Sequence, residues 1–358
     1  MRASTEELGR LAAPPAASPR HEVHVSTRAH RVVWLIALVP LLAVLASPWW
    51  AGRSTLHLLG EFAYMLALAQ MWNLLAGYGG MVSVGQQAFI GLGAYGLLVF
   101  AMLLKGNPFV GVLVGGLIAG LASLLTAPIV FRLRNAYFAI GTWVVSEVFR
   151  LLIANIPALG GGSGMSLTSA LTDVPAWWRE AVTFWIAIAL GVGTTLLSYV
   201  FLLSRMGLGL TALRDSEVAS ESLGLRVRVL KLAVYVVSAT GCGVAGALIY
   251  LSKLRVAPDA AFSIDWAAGM IFIVVIGGIG TLEGPVIGTL VFLLLRGFLE
   301  DFGTWYMILL GTVAIVAMRW APQGIWGWAA ARFRIQLFPV QRRVSWPPPP
   351  REKAQRAR

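Results

Sequence analysis

The sequence predicts an all-α, polytopic transmembrane helical bundle, and three observations carry that expectation. Hydrophobic residues make up 58% of the 358 residues and charged residues only 12%, about half the charged fraction of an ordinary soluble domain. Apolar stretches of bilayer-spanning length recur along the chain. The 28 Lys+Arg, set against 16 Asp+Glu for a formal net charge of +12, fall mainly between or beyond those stretches. That is the pattern left when Lys and Arg are retained on the cytoplasmic side, not the continuous basic surface of a nucleic-acid binder.

Residues 1–31 carry Pro14, Pro15 and Pro19 among five arginines, lack periodicity, and read as a disordered basic cytoplasmic tail. The apolar run that follows is too long for a signal-peptide core and reads as a retained first helix. Spans are expected at 32–50, 55–76, 84–104, 109–131, 136–156, 181–203 and 229–252. The glycine-interrupted stretch 266–300 divides into two more and a last span covers 304–319, which makes about ten crossings. The transmembrane domain then occupies 32–327, and 328–358 form a basic, Pro-rich cytoplasmic tail. With alternating spans and a cytoplasmic N-terminus, the inside stretches hold Arg132 and Arg134, then Arg205, Arg214, Arg226, Arg228 and Lys231, then the C-terminal basic residues. Arg53, Lys105, Arg150, Arg179, Lys253, Arg255 and Arg296 are left for the outer side or the membrane, so both termini are expected inside. The single cysteine, Cys242, lies in an apolar run, has no disulfide partner and is assigned no role.

Two glycine clusters occupy corresponding places in the two halves: Gly77, Gly80 and Gly85, then Gly277, Gly278, Gly280 and Gly284 with Pro285. They read either as broken or re-entrant helices around a pathway or as ordinary tight turns. Ser83 with Gln86 three positions on fits a capping box at a helix start. Gly91 and Gly93 in that helix permit close backbone approach. Gln86 and Gln87 are candidates for lining a polar path, because an amide facing lipid would be unpaired. Glu147, at membrane depth, is a further candidate for that path, and Arg150 three residues on can pair with it as a structural alternative. Glu61, four residues after His57, is placed to reach the outer interface. The loop 204–231 is the longest charged inside loop between spans, and Asp215–Leu223 can form a short amphipathic helix with Glu217 and Glu221 one turn apart. The outer stretch 157–180, with its GGGSG run and Trp177-Trp178, reads as a partner-contacting loop, an aromatic membrane anchor, or both.

The run Gly77-Tyr78-x-Gly80-x-x-Ser83-x-Gly85-x-x-Ala88-Phe89-x-Gly91-x-Gly93-Ala94-Tyr95 resembles the signature of the LivM-type permeases, membrane subunits of branched-chain amino acid ABC importers. Leu133-Arg134-x-x-Tyr137-Phe138-Ala139-Ile140, Ala212-Leu213-Arg214-Asp215-x-Glu217 leading to Leu223-Gly224, Gly277-Gly278-x-Gly280-Thr281-x-x-Gly284-Pro285 and Ala321-Pro322-Gln323-Gly324 are similar to later blocks in the same order. The resemblance covers about residues 55–327; Gln86 stands where many members carry histidine, and the tail from Arg332 is atypical. It implies a bacterial inner-membrane permease with a second related permease, two cytoplasmic ATPases and an extracytoplasmic substrate-binding protein as partners. Arg214, Asp215, Glu217, Glu221 and Gly224 then fall in the loop that meets the ATPase. The substrate implied is a branched-chain amino acid or a related small amide or acid.

Other function classes fare worse. The serine of Gly161-Gly162-Ser163-Gly164 has no later histidine to act as its base, since His21, His24, His30 and His57 all precede it. His21-Glu22-x-His24 is one residue short of a zinc-protease motif, so no catalytic or metal residues are assigned. The chain contains no G-x-x-x-x-G-K-S/T string, so no nucleotide cofactor is assigned to it and any ATP is hydrolysed by another subunit. An ion-gradient-driven carrier or channel is the remaining alternative, and the scarcity of acidic residues in the spans and the large charged loop weigh against it.

Overall fold

The computed structural model describes residues 22–24, 42–172, 174–299, 305–320, 323–333 and 343–345. The chain divides into a large unit, 38–338, and a small one made of 1–37 and 339–358. In the small unit, strands Glu22–His24 and Arg343–Ser345 pair antiparallel; the rest of both expected tails lies outside the described residues, as does much of the expected first span.

The large unit is helical. Helix α1 (Arg53–Trp72) runs on through a wide π-turn, Asn73–Tyr78, and α2 (Gln87–Leu98) does the same through Val99–Leu103. Then come α3 (Pro108–Val130), α4 (Ala136–Ala154), α5 (Ala176–Leu203), the short α6 (Arg205–Asp215) and α7 (Glu217–Ser222), and the long α8 (Val227–Lys253). Helices α9 (Pro258–Ala261), α10 (Ile264–Gly277), α11 (Gly284–Leu299), α12 (Trp305–Trp320) and α13 (Gly324–Phe333) complete the unit. Several helix starts are written into the sequence. Asn107 accepts from Phe109 N at 2.9 Å with Pro108 at the first helical position, and Ser204, Ser216 and Ser263 cap α6, α7 and α10.

Among the described residues, seven helices are long and apolar enough to cross a membrane, and Gln87–Leu103 and Gly284–Leu299 are shorter apolar helices. The expectation of a multi-span all-α bundle therefore stands. Its centre is α8, packed on α3, α2 and α1. Hydrophobic burial drives little association between helices in lipid, so contact area and small residues must do it. A Cβ on Gly93 would lie 2.0 Å from Gly243 O, and one on Gly246 would lie 2.2 Å from Ile90 O. Backbones of α2 and α8 thus touch directly, and α2 is buried along nearly its whole length. Ser238 of α8 also donates to Met71 O of α1 at 2.9 Å. The outward faces of α4, α5 and α12 are apolar, with Tyr137, Leu152, Val200 and Ile315 exposed, as suits surfaces meeting hydrocarbon or another apolar subunit.

One local expectation is corrected and two are sharpened. Ser83 Oγ accepts from Gly85 N at 3.2 Å, and Gln86, the residue before α2, makes no side-chain cap, so the capping box does not form. The expected short helix within 215–223 forms over Glu217–Ser222 with Glu217 and Glu221 on it; its start is set by Ser216, whose extended backbone (φ −162°, ψ 117°) separates it from α6. The outer stretch 157–180 is folded on the bundle: Met165–Ser166 pairs with Arg255–Val256, and Arg255 donates to Ser163 O at 3.2 Å.

The close approach of α2 and α8 is testable. Gly93→Ala should lower stability by about 1–3 kcal/mol, because the new methyl meets backbone that has nowhere to go. Gly193→Ala, where a Cβ meets nothing within 4 Å, should be neutral or slightly stabilising. Thermal unfolding of the detergent-purified variants reads both; equal melting temperatures for the two would contradict the packing.

Candidate functional site

At one end of the bundle the two glycine clusters meet. The turn Gly278–Leu282 joins α10 to α11, with Gly278 and Gly280 at positive φ (131° and 74°), which glycine adopts without a Cβ penalty. Gly278 N still donates to Val274 O of α10 and Gly278 O accepts from the Thr281 hydroxyl, and side chains of α1 and its π-turn bond Gly280, Thr281 and Leu282. Gln70 Nε2 donates to Leu282 O at 2.8 Å, Asn73 Nδ2 donates to Thr281 O at 2.8 Å, and Gly280 N donates to Asn73 Oδ1 at 2.9 Å. A Cβ on Gly77 would stand 2.8 Å from Gly280 N, so the first cluster lies directly on the second. Gly277 and Gly284 close the base of the hairpin: a Cβ on Gly277 would collide with Gly284 O, and Pro285 occupies the first turn of α11.

Arg214 of α6 is wedged against both clusters. Its Cα lies 3.4 Å from where a Gly80 Cβ would stand, and its Nη1 lies 2.6 Å from the same point on Gly280. The other loop residues sit around it. Asp215 ends α6 exposed, and Glu217 accepts from Lys231 Nζ of α8 at 2.6 Å. Glu221 is exposed on α7, and Gly224, at φ +79°, lies just beyond that helix. On α7 and just after it, Val218 (74% exposed) and Leu223 (78% exposed) stand out from the bundle.

The segment between α1 and α2, Gly79–Gln86, is non-helical yet mostly buried, and Trp72 Nε1 pins it by donating to Ser83 O at 2.8 Å. Gly85 is pressed on Thr142 of α4, and Gly91 on the Phe262 ring. Ser83, Gln86 and Gln87 are buried, and neither amide of the two glutamines has a hydrogen-bond partner among the described residues. A buried unpaired amide is costly. Glu147 is not part of that group. It accepts from Arg150 on its own helix, and Arg150 Nη1 also reaches Asp259 at 2.5 Å.

The opposite end opens into a cavity of about 990 Å³ between α1, α5, α8, α10 and α11, at the upper end of the range for small-molecule sites. Its wall is amphipathic, with Met65, Phe184, Leu248 and Phe292 beside Arg53, Glu61, Glu180, Lys253, Asp265 and Arg296. Glu61 accepts from Arg296 at 2.5 Å, so it is tied across the cavity to α11 and is not simply reaching an interface. Arg53 pairs with Glu180 at 3.4 Å. Near this end Trp49, Trp177, Trp178 and Trp185 form a chain of ring contacts with centroids 5.6–6.2 Å apart. Sequence reasoning missed the cavity and the α1 clamp. Gln70 and Asn73, spaced three apart in an apolar span, were a visible signal; the Glu61–Arg296 pair, 235 residues apart, left none. Among the described residues no group of three or more His, Cys, Asp or Glu is placed to hold a metal ion.

Residues 54–318 match the family described as the permease component of the branched-chain amino acid transport system. The high-affinity branched-chain amino acid transport system permease protein LivM of Escherichia coli is 29% identical over 324 residues, covering 82% of this chain and 74% of that protein. A probable branched-chain amino acid transport permease protein LivM of Methanocaldococcus jannaschii is 25% identical over 259 residues, 70% of this chain and 73% of that protein. The fructose import permease protein FruG of Bifidobacterium longum is 26% identical over 276 residues, 72% and 78% of the two chains. No solved structure matches. With apolar spans, a buried broken segment and a family match over most of its length, the chain belongs to the permease components of the branched-chain amino acid transport system family.

Proposed function

We propose that this chain forms half of the membrane pathway of an ABC importer in a bacterial inner membrane, beside a second, related permease. Two cytoplasmic ATPases drive it, and an extracytoplasmic binding protein delivers a branched-chain amino acid or a related small amide or acid. Both termini are cytoplasmic in this reading, and ATP is bound and hydrolysed by the partners alone. The names of the LivM relatives support the substrate class. The positive-inside distribution supports the orientation, with the α6–α7 loop in the cytoplasm and the large cavity outside.

One observation carries the mechanism: Arg214, in the loop, touches the glycine turns that precede α2 and α11. ATPase closure displaces α6 and α7; Arg214 passes the displacement to both turns, and the helices they begin reorient, opening the pathway to the other side. The exposed Val218 and Leu223, with Glu221 between them, form the docking face. Glu217 serves inside the subunit, holding α7 to α8 through Lys231. The buried Ser83, Gln86 and Gln87 lie on the segment that moves and line the pathway, their unpaired amides available to a passing polar solute or to water. Glu147 has no part in that segment, and its pairing with Arg150 is structural.

Uptake of radiolabelled leucine by cells expressing the chain with its partners should collapse on ATP depletion while the proton gradient is kept; unchanged uptake would contradict the importer reading. Val218→Glu with Leu223→Glu should weaken co-purification of the ATPases, at a cost of about 1–2 kcal/mol for each lost apolar anchor. Asn73→Ala should act differently. It removes two buried hydrogen bonds, costing about 1–3 kcal/mol of stability, and should leave ATP hydrolysis running in the assembled transporter while uptake falls. Parallel loss of hydrolysis and uptake would place Asn73 outside the transmission path.

A further inference from the structure

Among the described residues, two cations on the wall of the cavity at the outer end, Lys253 and Arg179, form no ion pair. Arg53 and Arg296 on its wall are each neutralised by a carboxylate, Glu180 and Glu61. Lys253, at the end of α8, is not: among the described residues no carboxylate lies within ion-pair distance of its Nζ. Two aromatic faces hold the ammonium, Trp266 at 5.0 Å and Tyr250 at 5.6 Å from ring centroid to Nζ. Cation–π contact positions an ammonium but leaves its N–H donors uncommitted. Beside Trp266 in the chain, Asp265 has no cation within ion-pair distance among the described residues; its Oδ2 accepts from the Ser263 hydroxyl at 2.9 Å. The same wall carries apolar side chains, Met65, Phe184 and Phe292.

We propose that this cavity is a transit site, contained in one subunit, for a small amphipathic zwitterion. Lys253 receives its carboxylate, Asp265 its ammonium group, and the apolar wall its side chain. The proposal rests on the transport reading above and adds to it a recognition step made by the permease itself, after release from the binding protein. The chemistry follows from what each group lacks. An ammonium oriented by two aromatic rings exchanges water for a charge-assisted bond from a carboxylate, which a solute without a carboxylate does not offer.

The only cysteine of the chain, Cys242, is fully buried, so a cysteine introduced in the cavity reports without background. In the full chain carrying Ala260→Cys, reconstituted in lipid nanodiscs, labelling by a membrane-impermeant maleimide is followed with and without L-leucine. L-Leucine should slow labelling, and L-leucinamide, which lacks the carboxylate, should not. Lys253→Gln should raise the leucine concentration needed for protection about tenfold, the equivalent of one charge-assisted bond, and Lys253→Arg should restore it. Protection by leucine that survives Lys253→Gln unchanged, equal protection by leucinamide, or no protection by leucine would each overturn the site. These outcomes are separable from the transport reading: ATP-dependent uptake with no protection removes the site alone, and ATP-independent uptake removes the importer assignment.

Discussion

The backbone of the turn between α10 and α11 must be hydrogen-bonded, and α10 and Thr281 satisfy only its Gly278 end and the start of α11. At membrane depth a bare N–H or C=O costs several kcal/mol, so irregular backbone persists there only where protein supplies partners. Here the partners are two amides of α1, Gln70 and Asn73, which together reach three successive turn residues. This clamp explains much else. It brings α1 against the α10–α11 hairpin, sets Gly77 on Gly280, and leaves a cleft of glycine backbone into which Arg214 fits.

In the proposed mechanism the remainder of the bundle lets that junction move at one end and admits solutes at the other. The α2–α3–α8 core is held by backbone approach at small residues, which fixes helix spacing tightly without large interlocking side chains. The charged groups gather at the two ends, the α6–α7 loop and the cavity. Between the ends runs α2, entered through the buried segment Gly79–Gln86, so that a displacement at the glycine junction is delivered to a helix buried on nearly all sides. Packed interiors respond to such a push by switching arrangement more readily than by deforming smoothly.

The fold class and, among the described residues, the positions of the long apolar helices were legible because each is a local property: run length and hydropathy. The glycine clusters were legible as special backbone, but not as neighbours, since 200 residues separate Gly77 from Gly277 and only tertiary contact joins them. The capping-box reading of Ser83 and Gln86 failed because the Ser83 hydroxyl bonds its own turn at Gly85, a competition common for serine before a helix. The short helix carrying Glu217 and Glu221 was legible, and its start is two residues later than read because Ser216 caps it. Lys253 read as an ordinary outer-side charge; its meaning came only from the two aromatic rings the fold sets around it.

The central claim is that the α6–α7 loop and the two glycine turns move as one device. Hydrogen exchange on the assembled transporter, with and without a non-hydrolysable ATP analogue, tests it most directly. The account predicts that protection in residues 205–226 changes together with protection in 79–86 and 278–283. A change confined to 205–226, with both glycine segments unaltered, would contradict it.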